Sequence, residues 1–79
     1  KLGGVCLKYS NQNMAGYPDR LILLPGARTI WVELKSKGKH TTALQDIRLR
    51  ALGKLGYDTY ICDSKEAIDK IIKTYSNAI

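Results

Sequence analysis

The sequence predicts an α/β (α+β mixed-sheet) domain in the order β-β-β-α-β-α. Three observations carry this reading: a Pro25-Gly26 turn between two apolar segments, helical spacing in two later segments, and a strand pattern between those helices. Val5 to Tyr9 alternates, with Val5, Leu7 and Tyr9 set against Cys6 and Lys8, which suggests a first strand. Ser10 to Gly16 is polar and turn-rich and reads as a loop. Arg20 to Leu24 is a short aliphatic strand, and Thr29 to Lys35 is its partner in an antiparallel hairpin across Pro25-Gly26. Ser36 to Thr42 forms a basic loop. Thr42 with Gln45 three residues later fits a capping box opening a helix, whose core stripe is expected at Leu44, Ile47, Ala51, Leu52 and Leu55, with Gly56 as the residue after the C-cap. Tyr57 to Cys62 reads as a fourth strand. Asp63 or Ser64 caps a last helix with the stripe Ala67, Ile68, Ile71, Ile72 and Tyr75. Strand, crossover helix and strand imply a parallel pair appended to the hairpin.

The chain of 79 residues is expected to form one domain, spanning positions 1–79. With 44% hydrophobic and 25% charged residues it is globular rather than disordered or fibrous. Thirteen Lys and Arg against seven Asp and Glu give a net charge of +6, which favours a polyanion partner, nucleic acid before membrane. The longest aliphatic run, Leu21 to Leu24, is far shorter than the ~20 residues a bilayer demands. No secretory signal pattern opens the chain, so a cytoplasmic protein is expected. Cys6 and Cys62 form no CxxC pattern and are expected to be buried, reduced thiols.

The informative chemistry lies at the open end of the hairpin. A turn centred near Gly26-Ala27 makes facing positions sum to about 53, give or take one, so Asp19 lies opposite Leu34 or Glu33. Glu33 and Lys35 are two apart and share a sheet face. Cross-strand neighbours have Cβ atoms roughly 4.5–5.5 Å apart, so Asp19 and Glu33 would crowd two negative charges. Such a pair raises one carboxylate's pKa or recruits a hard divalent cation, Mg²⁺ or Mn²⁺. The same pattern also fits two surface acids with Lys35 as their ion-pair partner. The surroundings are basic: Arg20, Lys35, Lys37, Lys39, Arg48, Arg50 and Lys54, with Asp46 the one acid between Lys35 and Lys54. Cations that hold a phosphate backbone around acids that hold a metal are what phosphodiester cleavage needs.

Other residues carry weaker signals. His40 in the basic loop fits either a phosphate contact or a solvated side chain, and one histidine builds no zinc site. Gly38-Lys39 lacks the spacing of a phosphate-binding P-loop. Trp31 shares the Glu33 face and fits sheet-to-helix packing better than a base-stacking platform. Gln45 is either the capping-box partner alone or also a water or phosphate contact.

The run Gly16-Tyr17-Pro18-Asp19-Arg20-Leu21-Ile22-Leu23-Leu24-Pro25-Gly26, then Trp31-Val32-Glu33-Leu34-Lys35, Gly38-Lys39 and Gln45, resembles the VRR-NUC domain. This is the virus-type replication-repair nuclease branch of the PD-(D/E)XK superfamily. Leu52, Leu55-Gly56-Tyr57 and Tyr60 to Ser64 match its second half, so the resemblance spans roughly Gly3 to Ser64. It implies that Asp19 and Glu33 ligate a metal and that Leu34 adds its backbone carbonyl. It implies that Lys35 positions or activates the attacking water, and that Gln45 is the helix glutamine near the active site. Arg20, Lys37, Lys39, His40 and Arg48 are then the expected DNA contacts. The family carries an N-terminal helix whose glutamate supports the metal. Nothing from Lys1 onward matches it, so either an upstream segment supplies that ligand or the site works with one fewer.

The expected function is a Mg²⁺- or Mn²⁺-dependent endodeoxyribonuclease similar to the stand-alone phage and viral forms. The resemblance implies a homodimer acting like a Holliday-junction resolvase on branched or four-way DNA, in the host cytoplasm if phage-encoded. The competing readings are a non-catalytic basic DNA-binding module on the same fold, or a fragment of a larger DNA-repair nuclease.

Overall fold

The computed structural model describes residues 3–76. The elements are β1 (Val5–Lys8), β2 (Arg20–Leu24), β3 (Arg28–Leu34), α1 (Ala43–Lys54), β4 (Asp58–Cys62) and α2 (Lys65–Ser76), in the predicted order. The four strands form one sheet in the order β1-β2-β3-β4. β1 and β2, and β2 and β3, pair antiparallel, whereas β3 and β4 pair parallel across the α1 crossover.

Leu24 pairs with Arg28 and Arg20 with Val32, so facing residues of the hairpin sum to 52. A three-residue turn, Pro25 to Ala27, makes that register possible. Gly26 has φ 80° and Ala27 φ 60°, and two successive left-handed residues reverse the chain.

Side chains alternate across the sheet, so the two helices cover different faces. α2 covers one with Ile71 and Tyr75, which pack with Leu24, Ile30, Val32 and Cys62 into the main core. Ser64 Oγ accepts from the Ala67 amide and so caps this helix, the second of the two expected candidates. Ile68 of the expected stripe is exposed. Tyr60 and Tyr75 join by their hydroxyls at 2.9 Å, and the Tyr75 hydroxyl donates to Asp58 at 2.6 Å. Burial, with these hydrogen bonds second, pushes the Tyr75 pKa far above the tyrosine range.

α1 begins with the expected capping box: Thr42 Oγ1 accepts from the Gln45 amide at 3.2 Å, and Gln45 Oε1 accepts from the Thr42 amide at 2.9 Å. Its phase departs from the expected stripe. Leu49 and Leu52 are buried, while Leu44, Ile47 and Leu55 are exposed, Leu55 at 74%. The inward face is Gln45, Leu49 and Leu52, spaced i, i+4, i+7; hydrophobicity alone could not show that a glutamine points inward. Cys6 is a second departure. It is exposed on the edge strand β1, whereas Cys62 is buried on β4 at the opposite edge, and both thiols are free.

Candidate active site

The site assembles where β2 starts and β3 ends. Extending the register one residue beyond Arg20 and Val32 sets Asp19 opposite Glu33, the second of the two expected partners. The Leu34 amide donates to Asp19 Oδ1 at 3.0 Å, which draws the aspartate across onto β3. Tyr9 donates its amide to the Asp19 carbonyl at 3.0 Å, closing the base of the 9–19 segment. The Arg20 guanidinium also donates to that carbonyl, at 3.1 Å.

Glu33 is buried, 5% exposed, with two cationic or polar partners on one oxygen. Lys35 Nζ lies 3.3 Å from Glu33 Oε2, and Gln45 Nε2 donates to the same oxygen at 3.1 Å. The Lys35 backbone is itself pinned, its amide donating to the Cys62 carbonyl at 2.8 Å. Gln45 is the capping-box partner, as one of the two sequence readings had it, and its amide nitrogen also donates to Glu33, a contact the sequence did not suggest. Thr41, just upstream, donates its hydroxyl to Asp46 and braces the start of the helix.

The donor set suits a hard divalent ion. Among the described residues, no hydrogen bond reaches Asp19 Oδ2 or Glu33 Oε1, so each carboxylate keeps one oxygen without a partner. Two carboxylates against one lysine leave a net negative site in a basic protein. Among the described residues no three His, Cys, Asp or Glu side chains gather in one place, so the Leu34 carbonyl and waters would have to complete any coordination shell.

The expected DNA contacts divide. Lys37, Lys39 and His40 are exposed in the loop after β3, beside Lys35. Arg20 is half-buried and tethered to Asp19. Arg48 is also half-buried and turned inward: its Nε donates to the Ala15 carbonyl at 2.9 Å and its guanidinium lies 5.0 Å above the Tyr17 ring. Trp31 does pack, but against tyrosines: Tyr9 at 5.1 Å, Tyr17 at 6.2 Å and Tyr57 at 6.4 Å between ring centroids. Its buried indole N–H has no hydrogen-bond acceptor among the described residues. The sequence places Gly16 in the turn-rich loop and Gly16-Tyr17 at the head of the family-like run, without a role for either at the site; the clue is their place immediately before Pro18-Asp19.

No family model matches the chain. It is 35% identical over 66 residues to "Putative nuclease p44" of Acyrthosiphon pisum secondary endosymbiont phage 1, covering 84% of this chain and 71% of that protein. Among solved structures, a "VRR_NUC domain" superposes with TM-score 0.85 at 29% identity, covering 94% of this chain and 81% of that one. A "VRR_NUC domain protein" superposes with TM-score 0.74 at 25% identity, covering 91% and 67% respectively. The fold is that of a nuclease domain. The chain belongs to the VRR_NUC nuclease family.

Proposed function

We propose that this protein is a metal-dependent endodeoxyribonuclease that hydrolyses phosphodiester bonds in branched DNA, four-way junctions included. The observation that carries this reading is Asp19 held to β3 by the Leu34 amide at 3.0 Å, next to buried Glu33 with Lys35 Nζ 3.3 Å from its carboxylate. Asp19, Glu33 and the Leu34 carbonyl would hold Mg²⁺ or Mn²⁺. Such an ion supplies Lewis-acid polarisation of the scissile phosphate. Lys35 orients the attacking water and offsets charge developing on the phosphoryl oxygens. Water oxygen bonds to phosphorus as the opposite P–O bond breaks; the water loses a proton to solvent and the departing oxygen gains one. Gln45 would fix the orientation in which the Glu33 carboxylate holds the metal. Lys37, Lys39 and His40, all exposed, grip flanking phosphates.

A homodimer fits this reading, since a junction cutter presents two sites related by a two-fold axis. The exposed Val5, Leu7 and Leu23, which share one face of β1 and β2, support a second copy covering that face. Among the described residues no helix is long and apolar enough to cross a membrane. The site of action we propose is the cytoplasm, the host's if the protein is phage-encoded.

The test is cleavage of linear, flapped and four-way DNA with Mg²⁺, with Mn²⁺ and with chelator, alongside sedimentation at micromolar concentration. Metal-dependent cutting that favours branched substrates, by a dimer, is expected. DNA binding with no cleavage in either metal would favour a non-catalytic binding module. Full junction cleavage by a monomer would remove the homodimer.

A further inference from the structure

We propose that Arg48 is a positioning residue: it sets the Asp19 carboxylate from helix α1 instead of gripping DNA phosphate. The inference rests on the nuclease reading and deepens it.

The 9–19 segment that carries Asp19 lies between β1 and β2 with no helix or strand of its own. Apart from the Tyr9 amide on the Asp19 carbonyl, its hold on Asp19 therefore depends on side-chain ties. Asn11 Oδ1 accepts from the Asn13 and Met14 amides, both at 3.0 Å, which curls the far end of the loop on itself. The near end is held by α1. Arg48 Nε donates to the Ala15 carbonyl at 2.9 Å, and the flat guanidinium covers Tyr17 at 5.0 Å. Tyr17 is backed by Tyr9 and Trp31, with ring centroids at 6.3 and 6.2 Å. Between Ala15 and Tyr17, Gly16 runs so close to α1 that an added Cβ would sit 2.6 Å from Leu44 Cγ and 3.2 Å from Arg48 Cγ. Its φ of +94° is a conformation glycine adopts without penalty. Pro18, next in line, is fully buried. The chain from Ala15 to Pro18 is thus clamped, and Asp19 is the next residue.

Helix α1 consequently reaches both carboxylates. Gln45 touches Glu33 directly. Leu44 and Arg48, one turn apart, hold the strap that ends at Asp19. A metal held between two carboxylates depends on their spacing, and partners outside the ligand shell typically change metal affinity 10–100-fold, an order-of-magnitude range. Both contacts of Arg48 are peculiar to guanidinium. Lysine has the charge but neither an Nε–H at that point on the stem nor a planar face to stack.

Arg48→Lys separates the two roles. Calorimetry of Mn²⁺ binding to the DNA-free protein, and DNA affinity in chelator across a salt series, are measured for parent and variant. Positioning predicts about tenfold or greater loss of Mn²⁺ affinity, with chelator DNA affinity and its salt slope unchanged. Tyr17→Leu should copy this phenotype, and Tyr17→Phe, which keeps the ring, should behave as the parent. The emission of Trp31, the chain's sole tryptophan, should shift with Tyr17→Leu and with Arg48→Lys. Arg48→Met tests the alternative. If it lowers DNA affinity in chelator and reduces the salt slope by about 0.9 while Arg48→Lys binds Mn²⁺ like the parent, Arg48 is a phosphate contact and the proposal is wrong. A parent that binds Mn²⁺ and cuts DNA while Arg48→Lys is unchanged overturns this inference alone. A parent that binds no metal overturns the nuclease reading and this inference with it.

Discussion

Replacing Asp19 by Asn and by Ala separates its charge from its hydrogen bond. Asp19 Oδ1 accepts from the Leu34 amide at 3.0 Å, and asparagine preserves an acceptor there. Alanine leaves that amide unpaired, a loss of roughly 1–3 kcal/mol when the group is shielded from water. Charge acts the other way. Two carboxylates whose Cβ atoms lie about 5 Å apart repel by roughly 3 kcal/mol at an effective dielectric near 20. Lys35 on Glu33 and the half-exposure of Asp19 reduce that to about 1 kcal/mol. In chelator, Asp19→Asn should therefore match the parent or exceed it by about 1 kcal/mol, and should exceed Asp19→Ala by roughly 1–3 kcal/mol. Urea unfolding followed by circular dichroism measures both differences. Adding Mg²⁺ should raise the parent's midpoint by mass action and leave Asp19→Asn where it was. Cleavage by Asp19→Asn should fall by roughly 10²–10⁴, the rate equivalent of the several kcal/mol that metal-ion catalysis contributes. Equal stability of the Asn and Ala variants would refute the role of the Leu34 hydrogen bond. Parental Mg²⁺ stabilisation and parental cleavage in Asp19→Asn would refute the metal site.

DNA affinity should weaken with salt: about four phosphate contacts give a log–log slope near −3.6 for duplex, and Lys37→Ala with Lys39→Ala should flatten it by about half. A filter-binding salt series reads this, and an unchanged slope would remove the loop after β3 from the interface. Gly4→Ala should weaken β1, because a Cβ there would meet the Leu23 carbonyl oxygen at 2.4 Å; a loss of about 1–3 kcal/mol in urea unfolding is expected. Stability should decline above pH about 9. Burial, and then the charge of Asp63, lift Cys62 above its ordinary 9.0, and burial lifts Tyr75 above 10.0. The folded chain keeps protons that the unfolded chain releases, so each withheld proton lowers stability by about 1.4 kcal/mol per pH unit. Cys62→Val should remove the thiol's part of that decline in pH-dependent melting.

Local chemistry makes most of the fold legible in the sequence. Pro25-Gly26 marks a reversal because few residues tolerate left-handed backbone, and Thr42 with Gln45 marks a helix start because exposed amides need acceptors. Those two signals, with period-two and period-3.6 patterning, suffice for the element order. The hairpin likewise brought Asp19 near Glu33, since a short turn leaves little choice of register. Tertiary structure decided the rest. A one-residue difference in turn length separates Glu33 from Leu34 as the residue facing Asp19, and the turn conformation, not the pattern, resolves it. The rotation of α1 follows from Gln45 meeting Glu33 across a packed interface, so exposed Leu44, Ile47 and Leu55 look like core residues in sequence. Arg48 reads as one cation in a basic run because sequence records charge and not direction. Only packing brings its side chain onto Ala15 and Tyr17, residues far away in the chain, and so turns a surface charge inward.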